Sequence, residues 1–351
     1  MNNQIPYNSI AKVEDEYTRK VLYSQFIDKY YPEAFNAIQH FFLKGQLQRA
    51  KKWIRNNYLK VIKIKEKRID ILIATKNRPT ELGFLLQSLR TQVYNSYDIF
   101  LLDDASTTPI TNYYFIVYLL NRLKCEGHKV YLKRNNVSNG ISRMRNQMVK
   151  WACKESSNDL IARIDDDTII EPDFLERLVT GIEEGYDLMS GITPPLAQEM
   201  WKRNTKHVKP LISQCKMSDE GKLLSIGDDC GYGYLQDEII PSDHFRSSAL
   251  YKKSIHTEKN IWYFDGLTKC GFREEEFFSF QIICAGLKIG VDTQAICWHF
   301  LTPSGGDKRS NYSELAKLNH ESLIKYTKKL FDEHGNFLKK YEEMILNEKK
   351  R

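Results

Sequence analysis

Apolar positions in the middle of this chain follow two alternating spacings. Short apolar runs, typical of buried strands, occur at residues 69–74, 99–102, 130–132 and 160–164. Between these runs, and after the last, apolar residues recur every three or four positions, as they do on one side of a helix. The first such helix is predicted from Leu82, Leu85, Leu86, Leu89 and Val93. Repeated strands and helices predict a mostly parallel sheet covered by helices on both faces.

The flanks of this pattern differ from its centre. Residues 1–62 lack strand alternation and are predicted to form a helical, basic extension, whereas residues 306–351 read as a helical tail rich in Lys and Glu. We therefore expect the main domain at residues 63–305. It divides into a half with clear strand–helix repeats, 63–192, and a less regular half, 193–305.

The composition is consistent with a chain that folds without disulfide bonds. The chain has 351 residues, of which 42% are hydrophobic, enough for a substantial core. Its seven cysteines are odd in number, widely spaced and without a C-x-x-C pair, which argues against a disulfide framework and a zinc site. Neither a signal peptide nor an apolar run long enough to span a bilayer is evident, so a cytoplasmic location is expected.

The net charge of +7 is concentrated near the N-terminus. Residues 44–68 carry ten Lys or Arg and one acid, Glu66, with Trp53 among them. This pattern fits peripheral contact with an anionic membrane at its inner face, or with a polyanionic acceptor. It is more typical of helices whose aromatic residues pack on the main domain while the lysines are solvated. Nucleic acid is a weaker interpretation, because no recognised binding module accompanies the charge.

The fourth apolar run ends in three consecutive carboxylates, Asp165, Asp166 and Asp167. Adjacent acids repel one another, so a divalent metal is the natural neutralising partner. If the segment is extended, Asp165 and Asp167 point to one side and offer oxygen ligands. The alternative is a solvated acidic loop before a helix that begins near Pro172.

Further polar residues follow the other predicted strands or begin the next helix. Carboxylates suit ribose hydroxyls or a base edge, and arginines suit phosphate. Because ligands of parallel sheets bind at the carboxyl ends of the strands, these side chains together predict a nucleotide site. Neither G-x-G-x-x-G nor a P-loop is present, so metal and arginine would have to hold a diphosphate. The candidates outside the acidic run are Thr75, Asn77, Arg78, Asp103, Asp104 and Arg145.

Four blocks of sequence resemble family 2 glycosyltransferases of the GT-A fold. Residues 71–79, 101–106, 139–146 and 164–167 occur in the order seen in that family, and the resemblance covers about residues 69–305. It implies an α/β GT-A fold, with a Rossmann-like, mostly parallel central sheet flanked by helices and with helical extensions at both ends.

The resemblance also implies roles for the donor site. Asp104 first and Asp103 second are expected at the nucleoside, and Arg145 near the nucleotide. The donor would be a nucleoside-diphosphate sugar, with a UDP-sugar favoured over a GDP-sugar. The other donor-site candidates are Thr75, Asn77, Arg78, Asp165 and Asp166.

The same family pattern predicts a divalent metal. Asp167 maps to a direct ligand, Asp165 to ribose or metal, and His299 to a further ligand. An imidazole in an oxygen-rich site favours Mn²⁺ somewhat over Mg²⁺. A lone His after an apolar strand is also commonly a structural residue.

The resemblance also implies a general base at the start of the predicted helix that ends in Ala285-Gly286. The family usually has Glu-Asp at the start of this helix. Counting back from Gly286 aligns Glu275 with the usual base and leaves Glu274 as the reserve. Acids placed at a helix N-terminus would also explain both residues. With this base, an inverting single displacement follows.

The less regular half, residues 193–305, would hold the acceptor and the base. Trp262 and His244 are the candidates for acceptor binding, since an aromatic ring can stack on a sugar and an imidazole can bind its hydroxyls. Whether the acceptor is a glycan, a lipid-linked sugar or a protein is left open.

Two other functions are compatible with a related sheet and acidic site. A nucleotidyltransferase acting on a sugar phosphate would be expected to have a Gly-rich loop after its first strand, and Thr75–Pro79 has no glycine. A non-catalytic nucleotide-sugar binding protein would have no use for Glu275 beside an intact acidic run. Both features favour a glycosyltransferase.

Overall fold

The computed structural model describes residues 67–196, 214–227, 239–302, 305–306 and 311–348. The chain divides into two units, residues 1–66 and 67–351. The predicted basic extension lies outside the described residues, so its contact with membrane or with the main domain stays a prediction.

The first part of the described chain alternates strands and helices, as the apolar pattern predicts. Each of its strands except β3 and β5 is buried along its whole length or nearly so, which explains the near-continuous apolar runs. Its elements are β1 Ile69–Thr75, α1 Pro79–Arg90, β2 Tyr97–Asp103, a 3₁₀ turn Ile110–Asn112, α2 Tyr114–Cys125, β3 Val130–Arg134, α3 Ile141–Glu155, β4 Leu160–Arg163, β5 Thr168–Ile170, α4 Phe174–Glu183 and β6 Leu188–Ile192.

The second part has shorter strands and longer terminal helices. Its elements are β7 Lys216–Met217, β8 Leu223–Ser225, β9 Ile239–Ser242, β10 Ala249–Lys252, α5 Ser254–Thr257, α6 Glu274–Cys284, β11 Ile289–His299, α7 Tyr312–His334 and α8 Phe337–Glu348. Residues 289–299 form one long strand, because an irregularity between Asp292 and Ile296 lets the chain continue along β6.

Nine of the described strands form one sheet in the order β3-β2-β1-β4-β10-β6-β11-β5, with β9 also paired to β11. The strands β1 to β4 are mutually parallel where they pair, whereas β10 runs antiparallel between β4 and β6. The carboxyl ends of β1, β2 and β4 therefore lie at the same edge as the start of β10. This edge is where the polar residues identified in the sequence gather, and the α/β fold expected from the sequence is confirmed.

The C-terminal helices pack on the sheet domain. Leu323 of α7 and Phe337 and Tyr341 of α8 belong to the same buried cluster as Phe277 and Phe280 of α6. The hydroxyl of Tyr341 also accepts a hydrogen bond from the backbone N–H of Ile289 at 2.9 Å. The helices α7 and α8 thereby support α6, the helix that carries the predicted base.

The described residues include helices and cysteines that bear on two expectations from the sequence, one about membrane-spanning segments and one about disulfide bonds. None of the helices in this part of the chain is both long and apolar enough to cross a bilayer. The cysteines in the same ranges are all free thiols, and three of them, Cys215, Cys270 and Cys297, are buried.

Candidate active site

A cavity of about 570 Å³ opens at the edge where β1, β2 and β4 end. The structure brings together there predicted site residues that lie up to 224 positions apart in sequence (299 − 75). The predicted site residues that line it are Thr75, Arg78, Asp104, Arg145, Asp165, Asp166, Asp167, Glu274, Glu275 and His299.

The three consecutive aspartates leave β4 in a turn. The alternation expected of an extended segment ends with β4 at Arg163, because residues 166 and 167 form a turn before β5 begins at Thr168. Asp166 and Asp167 consequently face the same cation, Arg78, whose Nη1 lies 3.0 Å and 2.9 Å from their carboxylate oxygens. Burial, helped by the charge of Asp167, raises the pKa of Asp166 to about 7.

The carboxylate of Asp165 has different partners. Its Oδ2 accepts a hydrogen bond from the Ser247 hydroxyl at 2.9 Å, and its Oδ1 lies 3.4 Å from both Arg145 and Arg163. Although burial opposes the charge, Arg163 and Arg145 hold the pKa of Asp165 well below its usual range. Asp165 is therefore an anion at any physiological pH.

His299 lies on the other side of Asp167. Its Nε2 is 3.2 Å from Oδ2 of Asp167. Neighbouring ligands in an octahedral site with bonds of about 2.1 Å are separated by about 3.0 Å. Asp167 and His299 are thus close enough to share one cation. The third predicted ligand is Asp165. Among the described residues, its ligand atoms do not lie close enough to those of Asp167 and His299 for all three to bind one ion.

Asp104 is held in place at the end of β2. Its Oδ1 accepts a hydrogen bond from Asn135 at 2.6 Å, and its Oδ2 accepts one from the Ser138 hydroxyl at 2.7 Å. Asp103 has a different position. It is buried, accepts hydrogen bonds from the backbone N–H groups of Ser106 and Ile110, and does not line the cavity. Asp103 thus shapes the loop that presents Asp104.

Glu274 and Glu275 begin α6, where the positive end of the helix dipole favours acids. Arg145 of α3 lies 3.2 Å from a carboxylate oxygen of each. Arg163 of β4 pairs with Oε1 of Glu275, the same oxygen that Arg145 approaches. Both arginine contacts of Glu275 thus fall on one oxygen, which leaves Oε2 to accept a proton.

The two glutamates differ in protonation. Burial and the nearby charge of Glu275 raise the pKa of Glu274 to about 8. Burial also acts on Glu275, but Arg163 and Arg145 outweigh it and lower the pKa of that carboxyl. At neutral pH the pair therefore consists of a neutral Glu274 and an anionic Glu275, and only the second is ready to act as a base.

This difference predicts how stability depends on pH. Because its folded-state pKa exceeds the ordinary value of 4.5, Glu274 contributes stability that is complete below pH 4.5 and is lost as the pH rises through about 8. When the pH rises from 5 to 8.5, we expect the wild type to lose more of its free energy of unfolding than Glu274→Gln does. The two losses should differ by roughly 1 kcal/mol or more. Urea denaturation at several pH values measures this difference, and parallel pH dependence in both proteins would contradict it.

Two glycines, Gly305 and Gly306, lie against the loop after β1, and Gly306 lines the cavity. The backbone N–H of Gly306 donates to the carbonyl of Lys76 at 2.8 Å. Gly305 has a φ of +77°, and a Cβ added there would lie 2.5 Å from Cγ of Arg78. Only glycine allows the chain to pass this closely over the arginine that binds the acidic turn.

Besides Asp103, three predicted site residues lie outside the cavity. Asn77 is exposed, and its side chain accepts a hydrogen bond from the backbone of Thr107, so it stabilises the loop after β1. Trp262 lines a separate cavity. His244 is fully buried and hydrogen-bonded to Asp243, so its ring cannot contact a sugar from solution. None of the three lines the main cavity in the described structure.

The structure also adds residues that the sequence did not single out. Arg163 is buried and joins Asp165 to Glu275, while Ser247 fixes Asp165 and Tyr263 lies beneath Arg145 at 5.5 Å from its guanidinium carbon. A signal for Arg163 exists in the sequence. It is a lone charge inside a buried apolar run, and such a charge requires a partner.

Part of the chain matches a known protein family. Residues 70–239 match the family model described as Glycosyl transferase family 2. No curated protein matches the sequence.

Similar folds occur among solved structures. GalNAc-T7, solved with UDP, GalNAc and Mn²⁺, has a TM-score of 0.53 and 14% identity over 77% of this chain and 55% of its own. S. aureus TarS has a TM-score of 0.48 and 14% identity over 73% of this chain and 40% of its own. For S. aureus TarS 1-349 with UDP-GlcNAc the TM-score is 0.49, with 14% identity over 77% and 72% of the two chains.

The chain spans 55% of the length of GalNAc-T7 and 40% of the length of S. aureus TarS, less than two thirds of either protein. At 14% identity the likeness to GalNAc-T7 establishes the fold alone. The family match covers the segment that contains β1, β2, β4 and the acidic turn. Residues 70–239 therefore match family 2 glycosyltransferases, and the described sheet with its flanking helices has the GT-A fold.

Proposed function

We propose that the chain transfers a sugar from a nucleoside-diphosphate sugar to an acceptor hydroxyl, with inversion at the anomeric carbon. The observation that carries the proposal is the convergence of the acidic turn, Asp104, Arg145 and the anionic Glu275 in one cavity. A donor nucleotide would lie along the carboxyl ends of β1, β2 and β4, as ligands of parallel sheets do.

The donor half of the cavity supplies groups for each part of a nucleotide. Asp104, held by Asn135 and Ser138, is a rigid acceptor for ribose or base donors. Arg78 is the cation nearest the acidic turn and would face the diphosphate. A UDP-sugar is favoured over a GDP-sugar, since GalNAc-T7, which shares the fold, was solved with UDP.

A divalent ion, Mn²⁺ or Mg²⁺, fits part of the predicted ligand set. Asp167 and His299 would hold it, as their 3.2 Å separation indicates, and GalNAc-T7 was solved with Mn²⁺. Asp165 would serve it only by leaving Ser247 and its arginines. When bound, such an ion neutralises charge developing on the departing diphosphate.

The acceptor half supplies the base. Glu275 is anionic because Arg145 and Arg163 lower its pKa, and its Oε2 is free of both arginines. It would accept the proton of the acceptor hydroxyl as that oxygen attacks the sugar carbon from the face opposite the diphosphate. The base need not be strong, because alignment of donor and acceptor contributes most of the rate.

Product analysis tests this proposal against its alternatives. With a panel of nucleotide sugars and glycan, lipid-linked and protein acceptors, we expect nucleoside diphosphate to be released from one donor class, faster when an acceptor is present. Release of pyrophosphate from a nucleoside triphosphate and a sugar phosphate would instead identify a nucleotidyltransferase. Binding without release from any combination would favour a non-catalytic protein.

A further inference from the structure

A second cluster of polar side chains lies outside the active-site cavity. Cys215 precedes β7, and Asp243 and His244 directly follow β9. All three are buried, with exposed fractions of 6%, 2% and 0%. One ligand atom from each lies within 4.8 Å of the other two. The ligand types are the thiolate, imidazole and carboxylate that bind zinc in proteins.

The distances within this cluster suit a metal. Sγ of Cys215 is 3.7 Å from Nδ1 of His244. Tetrahedral zinc with bonds of about 2.3 Å to sulfur and about 2.05 Å to nitrogen separates the two ligand atoms by about 3.6 Å. The backbone N–H of Gly227 also donates to this sulfur at 3.4 Å, a contact that stabilises a thiolate.

The charges balance when a divalent cation is bound. A thiolate and a carboxylate contribute two negative charges, and a neutral imidazole adds none, so a dication makes the buried site neutral. The competing occupant is the proton. In the structure, Nδ1 of His244 is hydrogen-bonded to Oδ1 of Asp243 across 2.6 Å. A metal would replace that hydrogen and move the two atoms to a ligand separation of about 3.3 Å.

We propose that Cys215, Asp243 and His244 form a zinc site, with the fourth position left to a ligand outside these three. The site would join the β7–β8 segment to the end of β9. Other contacts already make this junction: Asp243 accepts from the backbone N–H of Cys215 at 2.8 Å, and Gln214 donates to the carbonyl of Pro241 at 2.9 Å. The inference is independent of the proposed transferase chemistry.

Metal content and cobalt spectroscopy of the full chain test the proposal. We expect about one equivalent of zinc in the purified protein, released slowly to a chelator. Replacement by Co²⁺ should give a thiolate-to-cobalt charge-transfer band, which reports a sulfur ligand. The active-site cavity cannot give this band, since no cysteine is among the described residues that line it.

Matched variants locate the ion. Cys215→Ser should abolish the band, and Asp243→Asn should lower the affinity for Co²⁺ about tenfold or more. Cys270→Ser, also buried, and Asp167→Asn should retain both band and zinc. If Cys215→Ser fails to fold, the charge-transfer band of the wild type and the Co²⁺ affinity of Asp243→Asn still test the zinc site. Absence of the band in the wild type, or its persistence in folded Cys215→Ser, would overturn the proposal and leave a hydrogen-bonded Asp–His–Cys cluster.

Discussion

Glu275→Gln is expected to reduce sugar transfer by about 100-fold or more while the affinity for the donor nucleotide stays near that of the wild type. Glutamine keeps the shape of the side chain and can still bond to Arg145 and Arg163, but it cannot accept a proton. The measurement is the transfer rate at saturating donor with an acceptor found to work, together with nucleotide affinity by calorimetry.

Glu274→Gln is the matched control for this prediction. Glu274 is already neutral at pH 7, because burial and Glu275 raise its pKa to about 8, so the amide should change transfer much less. A collapse in Glu274→Gln with near-normal transfer in Glu275→Gln would place the base one residue earlier. Normal transfer by both variants would mean that these acids only stabilise the start of α6.

Asp167→Asn is expected to weaken metal-dependent nucleotide binding at least about tenfold and leave the fold intact. Asparagine removes the charge that Asp167 presents to His299 and Arg78, at a turn outside the apolar core. The measurement is UDP and GDP affinity with and without Mn²⁺.

A remote Asp→Asn substitution controls for loss of charge alone. Asp173 pairs with Arg177 at 2.7 Å and does not line the cavity, so Asp173→Asn should bind nucleotide as the wild type does. Unchanged Mn²⁺-dependent affinity in folded Asp167→Asn would remove Asp167 from the metal site.

Much of the fold and the donor half of the site could be predicted from local patterns. Buried strands of a parallel sheet read as apolar runs, and their carboxyl ends must meet at one edge. Polar residues directly after those runs, such as Thr75, Asp104 and Asp167, therefore lie in the cavity. The same rule does not tell which of two adjacent residues faces inward. That is why Asp103 and Asn77 were assigned to the donor site although both hold loops.

Long-range pairings were beyond the sequence. Arg163 meets Glu275 across 112 positions, and no periodicity encodes that contact. His244 was assigned to the acceptor because imidazole is polar, yet Asp243 satisfies its Nδ1 and allows the ring to be fully buried. Cys215 lies 28 residues from Asp243, so a search for closely spaced ligands does not find the cluster.

The cavity at the ends of β1, β2 and β4 is proposed to bind a nucleoside-diphosphate sugar through a divalent metal. Thermal unfolding of the full chain with nucleoside diphosphates and nucleotide sugars, each with and without Mn²⁺, tests it most directly. We predict that one nucleotide class raises the melting temperature, mainly with Mn²⁺, with stabilisation of about 2.7 kcal/mol at 100 times its dissociation constant. No shift with any nucleotide, or an equal shift with and without metal in both the wild type and Asp167→Asn, would contradict the claim.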